Sequence, residues 1–281
     1  MRAVSLHHDV LVVTSSLLQL NCVIVRGEIG GTGTTEEPGG GGGEQGARER
    51  LGETFLIDSP VLPEELDTLP ALIEQAGFPV PSGLLVTHGD WDHLLGRLAF
   101  PGVALGAAES TLARLRASPG QAQRELRDFD EELMIDRPHP LSLGSVQALP
   151  VPGRCDLGDR ELHLHAAEGH TSDGMAIVIP WARVLIAGDY LSAVEIPTLN
   201  DSGDIESYLA TLERLRTLIT QVERVVPGHG PVLAAADATE LLDEDVSYIR
   251  SVRDRPQETD LPSGRRSKQQ RALHAANLAT L

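Results

Sequence analysis

Apolar residues occur along this chain in short runs, and longer segments with helical periodicity separate many of those runs. Near the amino terminus, "DVLVV" and "LNCVIV" predict the two strands of a β-hairpin. Later runs predict further strands at "ETFLIDSP", "SGLLVT", "GVALGA", "ELHLHAA", "MAIVIP", "RVLIAGD" and "VERVVPGHGP". Strands mixed with helices along the whole length indicate an α/β (α+β) fold.

Helical spacing is clearest in the second half of the chain. Ile205, Leu209 and Leu212 recur at this period in "DIESYLATLERLRTLI", and Leu242, Val246 and Ile249 do so in "ATELLDEDVSYIRSVRD". Other predicted helices are "LPEELDTLPALIEQAG", "LLGRLAF", "AAESTLARLRA" and residues 120–136. No linker divides the sequence, which predicts a single domain over residues 1–281. Residues 31–50 are glycine-rich and predict a flexible loop, and residues 257–281 predict a loose, polar C-terminal tail.

Composition narrows the class of partner. Hydrophobic residues make up 41% of the chain, enough for a sizeable core, and the net charge is −18. Such an acidic surface repels phosphate backbones and anionic membranes, so we expect neither a nucleic acid nor a membrane partner. The two cysteines lie in no disulfide-type pattern, which favours a cytoplasmic protein. No apolar run is as long as a membrane span.

Four of the predicted strands end in side chains that bind metals. These strand ends are "LLVTHGDWDH", "AAEGHTSDG", "VLIAGDY" and "VVPGHGP". Their metal-capable residues are His88, Asp90, Asp92, His93, His170, Asp189 and His229. Imidazole and carboxylate groups bind zinc, iron and manganese, and loops at strand ends commonly hold catalytic groups. The set therefore predicts a metal site.

The order of these motifs resembles that of the metallo-β-lactamase-fold superfamily. "HGDWDH" is similar to its His-x-His-x-Asp-His motif, and "GHT", "GD" and "PGHG" follow at 169–171, 188–189 and 227–230. The resemblance covers about residues 8–250 and implies a four-layer αββα sandwich with the metals at one edge of the sheets. The "GHT" and "PGHG" motifs are most similar to those of the glyoxalase II and small-molecule hydrolase branch.

The resemblance also implies a ligand set and a reaction. It implies two divalent metal ions, the first bound by His88 and His170, the second by Asp92, His93 and His229, with Asp189 bridging them. A hydroxide between the metals would be the nucleophile, zinc is the expected metal with manganese or iron as alternatives, and Asp92 is also the candidate catalytic residue. Asp58, at the end of another strand, matches a position that supports the first motif from behind.

Asp90 departs from the family pattern, which has a second histidine at this position. As a ligand, Asp90 would join His88 and His170 in the first site, where its negative charge should raise the pKa of a bound water and favour manganese or iron. Two other interpretations stay open. The shorter carboxylate could contact a water instead of the metal, or the site could have lost metal altogether.

The expected function is hydrolysis of a small thioester, ester or lactone. His88, His170 and Asp189 also form the two-histidine, one-carboxylate set of non-haem iron enzymes, so a mononuclear persulfide dioxygenase-like enzyme is the alternative. A non-catalytic binding protein on the same scaffold is the third hypothesis. The expected specificity elements are the helical segment at 107–136, the loop at 137–160 and the region at 191–203, which carry no recognisable binding motif.

Several other polar or aromatic residues fit a structural role better than a role in the site. His163 and His165 share one face of a predicted strand, and His139 lies between two prolines in a predicted loop. Trp91 is expected to pack beneath the motif loop, with lining of the substrate entrance as the alternative. Tyr190 follows the bridging aspartate and is a candidate to reach the pocket.

Overall fold

The computed structural model describes residues 1–28, 52–199 and 204–279. The predicted flexible loop at 31–50 lies outside the described residues. The strands are β1 (Arg2–His7), β2 (Val10–Thr14), β3 (Asn21–Gly27), β4 (Glu53–Ile57), β5 (Gly83–Leu85), β6 (Ala104–Ala108), β7 (Val146–Leu149), β8 (Gly153–Leu157), β9 (Arg160–Ala166), β10 (Met175–Ile179), β11 (Val184–Gly188), β12 (Arg224–Pro227) and β13 (Leu233–Ala234). The α-helices are α1 (Pro63–Gln75), α2 (Gly96–Ala99), α3 (Glu109–Ala117), α4 (Gln121–Leu133), α5 (Ile205–Ile219), α6 (Ala235–Asp254) and α7 (Lys268–Ala279).

The strands form two mixed sheets. In the first sheet, β1 to β7 lie in chain order, antiparallel from β1 to β4 and parallel from β4 to β7. The second sheet has the order β13-β12-β11-β10-β9-β8, and β11 and β12 are its parallel pair. The predicted hairpin of "DVLVV" and "LNCVIV" is confirmed as β2 and β3, in which Val12 lies opposite Val23.

Three apolar clusters hold four layers together. The central cluster lies between the sheets and includes Val12, Ile57 and Ile177. A second packs α1 and its neighbours against the outer face of the first sheet, and a third packs α5 and α6 against the second sheet. Since each sheet has a helical layer on its outer face, the architecture is the predicted four-layer αββα sandwich. That prediction is confirmed.

The described part of the C-terminal segment is helical and docked, so the prediction of a loose tail is wrong there. The amide of Gln270 accepts a hydrogen bond from the backbone N–H of Ile196 at 2.7 Å, and the amide of Asn277 accepts one from that of Leu199 at 2.9 Å. Both amide side chains on α7 are buried. The polar composition of this segment predicted a solvated tail. Its polar side chains instead form hydrogen bonds with backbone N–H groups of an irregular loop.

Four strands were missed by the sequence analysis: the two-residue β13, and three edge strands that share a physical cause. β1 and β7 are the outermost strands of the first sheet, and β8 is an outermost strand of the second. Each is exposed along much of its length, so none has the apolar run that marks a buried strand. The predicted loop at 137–160 therefore contains β7 and β8. Among the described residues, no helix is long and apolar enough to cross a membrane.

Candidate metal centre

The predicted metal-binding residues meet at one edge of the sandwich, where β5, β9, β11 and β12 end. The two sheets are joined at this edge by Asn21 of β3, whose side-chain amide donates to the carbonyls of Pro227 and Gly230, both at 2.9 Å. Leu20 forms a bridge with His229 at the same place. All seven predicted residues fall into three metal-capable groups, which are His88, Asp90 and His170; Asp92, His93 and His229; and His88, His93 and Asp189.

The first group has Asp90 between two imidazoles. Asp90 Oδ2 lies 3.5 Å from His88 Nε2 and 3.6 Å from His170 Nε2. In the second group, Asp92 lies 3.4 Å from His229 Nε2 and 3.9 Å from His93 Nε2. Position 90 thus places an oxygen where the resemblance implies an imidazole nitrogen.

Asp189 lies between the two groups. Its Oδ1 is 3.2 Å from His93 Nε2, and its Oδ2 is 3.4 Å from His170 Nε2 and 3.4 Å from His229 Nε2. Ligand atoms bound to a tetrahedral zinc ion at 2.0–2.1 Å lie about 3.3–3.4 Å apart. The observed separations are close to that spacing on both sides of Asp189.

Several of these polar atoms are buried and form no hydrogen bond. They include His88 Nε2, His93 Nε2 and Asp189 Oδ1. A buried polar group without a partner costs about 1–3 kcal/mol, so such atoms normally have one. Since all three atoms face the same centre and are nitrogen or carboxylate donors, the residues fit a divalent metal.

The far sides of two of the imidazoles are held by other groups. His93 Nδ1 lies 3.0 Å from Asp58 Oδ2, and His229 Nδ1 lies 2.9 Å from the carbonyl of Leu18. Asp58 also accepts hydrogen bonds from the N–H and hydroxyl of Thr87, at 2.8 and 2.9 Å. The predicted support of the first motif by Asp58 is confirmed. Groups that hold Nδ1 leave Nε2 free to bind a metal.

When no metal is bound, the carboxylates of the site favour protonation of its histidines. Burial disfavours protonated His93, but the carboxylates of Asp58 and Asp189 outweigh it and raise the pKa of His93 well above its usual value. Burial likewise opposes protonation of His229, yet Asp189 raises its pKa to about 10. His93 and His229 should therefore carry protons at neutral pH in a chain stripped of metal.

Metal binding should release protons, because a metal binds only the neutral imidazole. With a pKa of about 10, His229 is protonated at pH 7.5 and must lose that proton. Apparent metal affinity should then rise with pH between about 7 and 10, by about tenfold per pH unit for each proton released. Calorimetric titration at pH 7.5 in two buffers of different ionisation enthalpy measures the release. Equal binding heats in both buffers would contradict this expectation.

Two glycines are required by the close approach of backbone around the site. Gly169 has φ +128°, and a Cβ there would overlap the backbone of Tyr208 on α5. A Cβ on Gly228 would overlap Asp189 Oδ1. Any side chain at these positions would displace a candidate ligand or the loop that carries it.

The residues for which the sequence favoured a structural role lie outside the three metal-capable groups of the site. His163 and His165 lie on β9, in register with Val178 and Ala176 of β10, and His139 is exposed. Trp91 packs against Phe129 of α4, with ring centroids 4.5 Å apart, which confirms its packing role.

Tyr190 lines a small cavity with His88, His170 and Asp189, and it supports the site from behind. Its buried hydroxyl accepts a hydrogen bond from the N–H of His170 at 2.9 Å and donates to the carbonyl of Ala167 at 3.2 Å. Both bonds fix the loop that presents His170.

A separate group of His7, His8 and Asp9 has metal-capable spacing at another place on the surface. Arg26 pairs with Asp9 at 2.9 Å and Arg160 approaches it at 3.6 Å. Their positive charges disfavour a cation there.

Sequence reasoning missed three charged residues around the site. Arg114 of α3 pairs with Asp90 at 2.7 Å and with Asp173 at 2.9 Å. Glu195 lines a pocket together with His170 and Asp189, and burial raises the pKa of its carboxyl although His229 opposes that shift. Asp173 follows "GHT" closely and carried a local signal, whereas Arg114 is remote from every motif.

Comparison with known families identifies this arrangement. A family model described as the metallo-β-lactamase superfamily matches residues 37–229, more than half of the 281-residue chain. The chain belongs to the metallo-β-lactamase superfamily. Most members of this superfamily are metal-dependent hydrolases, and divalent metals are their typical cofactors. Comparison with curated protein sequences finds no match.

Solved metallo-β-lactamase structures share the fold. DIM-1 metallo-β-lactamase exposed to ceftazidime aligns over 89% of this chain and 96% of its own, with a TM-score of 0.58 and 18% identity. A metallo-β-lactamase from Pontibacter korlensis aligns over 89% and 98%, with a TM-score of 0.56 and 18% identity. A metallo-β-lactamase family protein from Thermus thermophilus aligns over 88% and 81%, with a TM-score of 0.60 and 18% identity. At these identities the likeness establishes the fold and leaves the substrate open.

Proposed function

We propose that the chain is a dinuclear metal-dependent hydrolase of a small thioester, ester or lactone. The proposed ligands are His88, Asp90 and His170 for one metal and Asp92, His93 and His229 for the other, with Asp189 between them. The observation that carries the proposal is the pair of triplets on opposite sides of one buried carboxylate. A single metal would leave one triplet without a role.

The chain's own residues would orient the ligands and exclude water. Asp58 and the Leu18 carbonyl hold the Nδ1 sides of His93 and His229, so their Nε2 atoms face the centre without rearrangement. When bound, divalent metals lower the pKa of water towards neutrality and polarise a carbonyl oxygen, which is the chemistry that ester and thioester hydrolysis requires. Asp92 and Asp189 supply the charge that attracts two cations into a buried site.

The proposed substrate is a small molecule of the kind used by the glyoxalase II and small-molecule hydrolase branch. The chain has a net charge of −18, and Glu195 adds a carboxyl to the pocket wall beside His170. These features favour a neutral or cationic substrate over one that carries several carboxylates. The basic residues expected for glutathione are not evident in the sequence.

Metal content and a substrate panel test the proposal together. Elemental analysis after purification without chelators should find about two divalent ions per chain, with zinc expected and manganese or iron as alternatives. Neutral thioesters, aryl esters and lactones should be hydrolysed at rates that fall on chelation and return when metal is restored. One ion per chain, with the second site empty under added zinc or manganese, would contradict the dinuclear proposal.

The mononuclear iron dioxygenase stays the alternative. It would use His88, His170 and Asp189, and the Nε2 atoms of both histidines do lie close to Oδ2 of Asp189. It gives no role to the buried, unbonded Nε2 of His93. One iron per chain together with oxygen consumption on persulfide substrates would favour it. A chain that folds stably, binds no metal and turns over no substrate would favour the binding-protein hypothesis. The cytoplasmic location stays a prediction.

A further inference from the structure

The two oxygens of Asp90 have different partners. Oδ2 faces the centre, 3.5 Å from His88 Nε2 and 3.6 Å from His170 Nε2. Oδ1 points the other way and accepts a 2.7 Å hydrogen bond from Arg114 Nη2. Arg114 therefore holds Oδ1 away from the centre and leaves Oδ2 facing the two imidazoles.

Arg114 is itself anchored by Asp173. Its Nη1 donates to Asp173 Oδ1 at 2.9 Å, and Asp173 Oδ2 accepts from the backbone N–H of Gly89 at 2.9 Å. Thr171 also donates its hydroxyl to Asp173 Oδ1, at 2.7 Å. Gly89 lies between His88 and Asp90 in the chain, so Asp173 joins the guanidinium to the loop that it supports.

The charges of this network explain how an aspartate can occupy position 90. Replacing the family's neutral histidine with a carboxylate adds one negative charge to the first metal site. The guanidinium of Arg114 supplies one positive charge in direct contact with that carboxylate, on a side chain that is 21% exposed. At this distance the guanidinium offsets part of the added charge, while its other nitrogen pairs with Asp173.

We propose that Arg114 is a positioning residue for the first metal site: it holds Asp90 as a one-oxygen ligand and offsets part of its charge. The inference rests on the proposed two-metal site. It makes Asp90 and Arg114 an interdependent pair: Arg114 is needed because residue 90 is an aspartate. A histidine at position 90 would have no charge for Arg114 to balance.

A double-mutant cycle measures that interdependence. The variants are Arg114→Gln, Asp90→His and the double variant, each titrated with zinc against a chromophoric chelator. Arg114→Gln should weaken one of the two bound metals by about 10–100-fold, the range seen when outer partners of metal ligands are removed. In the Asp90→His background, the same change should alter affinity by less than about threefold. Arg114→Lys, which keeps the charge but loses the two-pronged contact, should lie between.

Cobalt spectra and a control arginine complete the test. Arg114→Gln should change the visible spectrum of one bound cobalt ion, because the ligand field of the first site changes. Arg137 makes a comparable contact with Asp130 through two nitrogens, at 2.8 Å each, and touches no proposed ligand. Arg137→Gln should leave metal affinity and spectrum unchanged. If Asp90→His does not fold, Asp90→Asn removes the same charge and serves in the cycle.

The outcomes separate this inference from the proposed function. Equal losses from Arg114→Gln in both backgrounds would show that Arg114 braces the loop through Asp173 alone, and would overturn the inference. Absence of any loss would overturn it as well. In either case, two metals bound by the parent chain would leave the proposed hydrolase standing. A parent chain that binds no metal would overturn both.

Discussion

Replacing His170 with alanine should lower hydrolysis of the best thioester or lactone substrate by at least about 1,000-fold. His170 Nε2 lies 3.4 Å from Asp189 and 3.6 Å from Asp90, so its loss removes one of three proposed ligands of the first metal. A thousandfold loss corresponds to about 4 kcal/mol of transition-state stabilisation, within the range for metal-assisted catalysis. The measurement is kcat/KM under metal-saturating conditions.

His163→Ala is the matched control for this prediction. His163 lies on β9, the strand that leads to His170, and is in register with Val178 of the neighbouring strand. Its replacement should leave kcat/KM within about twofold of the parent. Similar losses in both variants would mean that the site has been assigned to the wrong residues.

Replacing Arg265 with methionine should lower the free energy of unfolding by about 3–5 kcal/mol at pH 8. The Arg265 side chain is 1% exposed and donates to Asp245 at 2.6 Å and to the carbonyl of Glu195 at 2.8 Å. Without the guanidinium, the buried carboxylate of Asp245 has no cationic partner, and the loop beside the metal centre loses an anchor. Urea denaturation gives the free-energy change.

The size of this effect should depend on pH. Burial raises the pKa of Asp245 to about 7 against the opposing pull of Arg265. Because this folded-state pKa exceeds the unfolded value, the contribution of Asp245 to stability is greatest at low pH and falls as pH rises from about 4 to about 7. Protonated Asp245 needs no cation, so the loss from Arg265→Met should be smaller at pH 5.5 than at pH 8.

Arg253→Met is the control for the stability measurement. Arg253 pairs with Glu206 at 2.9 Å on the surface, where the carboxylate of Glu206 stays solvated when the guanidinium is lost. Its replacement should barely change the urea midpoint at either pH. A loss from Arg265→Met that is equal at pH 5.5 and pH 8 would show that Asp245 does not titrate in this range.

Local sequence was sufficient for the main helices and for the buried strands that end at the metal centre. α1, α5 and α6 carry apolar residues at helical spacing, and β5 and β11 are apolar runs buried along their whole length. The candidate ligands were also predictable, because each directly follows such a strand and belongs to a short motif. The structure brings them together since the strands end at one edge of the sandwich.

Residues that act through partners distant in the chain were not predictable in this way. Arg114 looks like any charged residue on a helix surface until the fold brings α3 beside Asp90. Gln270 and Asn277 gave α7 a polar composition, yet they are buried because they bond to the loop at 196–199.

The sequence by itself determined the buried strands, the amphipathic helices and the order of the metal-binding motifs, because those features depend on residues close together in the chain. The tertiary structure alone decided the edge strands, the docking of α7 and the pairing of Asp90 with Arg114. The docking of α7 and the pairing of Asp90 with Arg114 depend on hydrogen bonds or an ion pair between segments far apart in sequence, whereas β1 and β8 pair with the next strand in the chain but lack an apolar run. Such contacts leave no periodic pattern, since their energy depends on position in space and not on spacing along the chain.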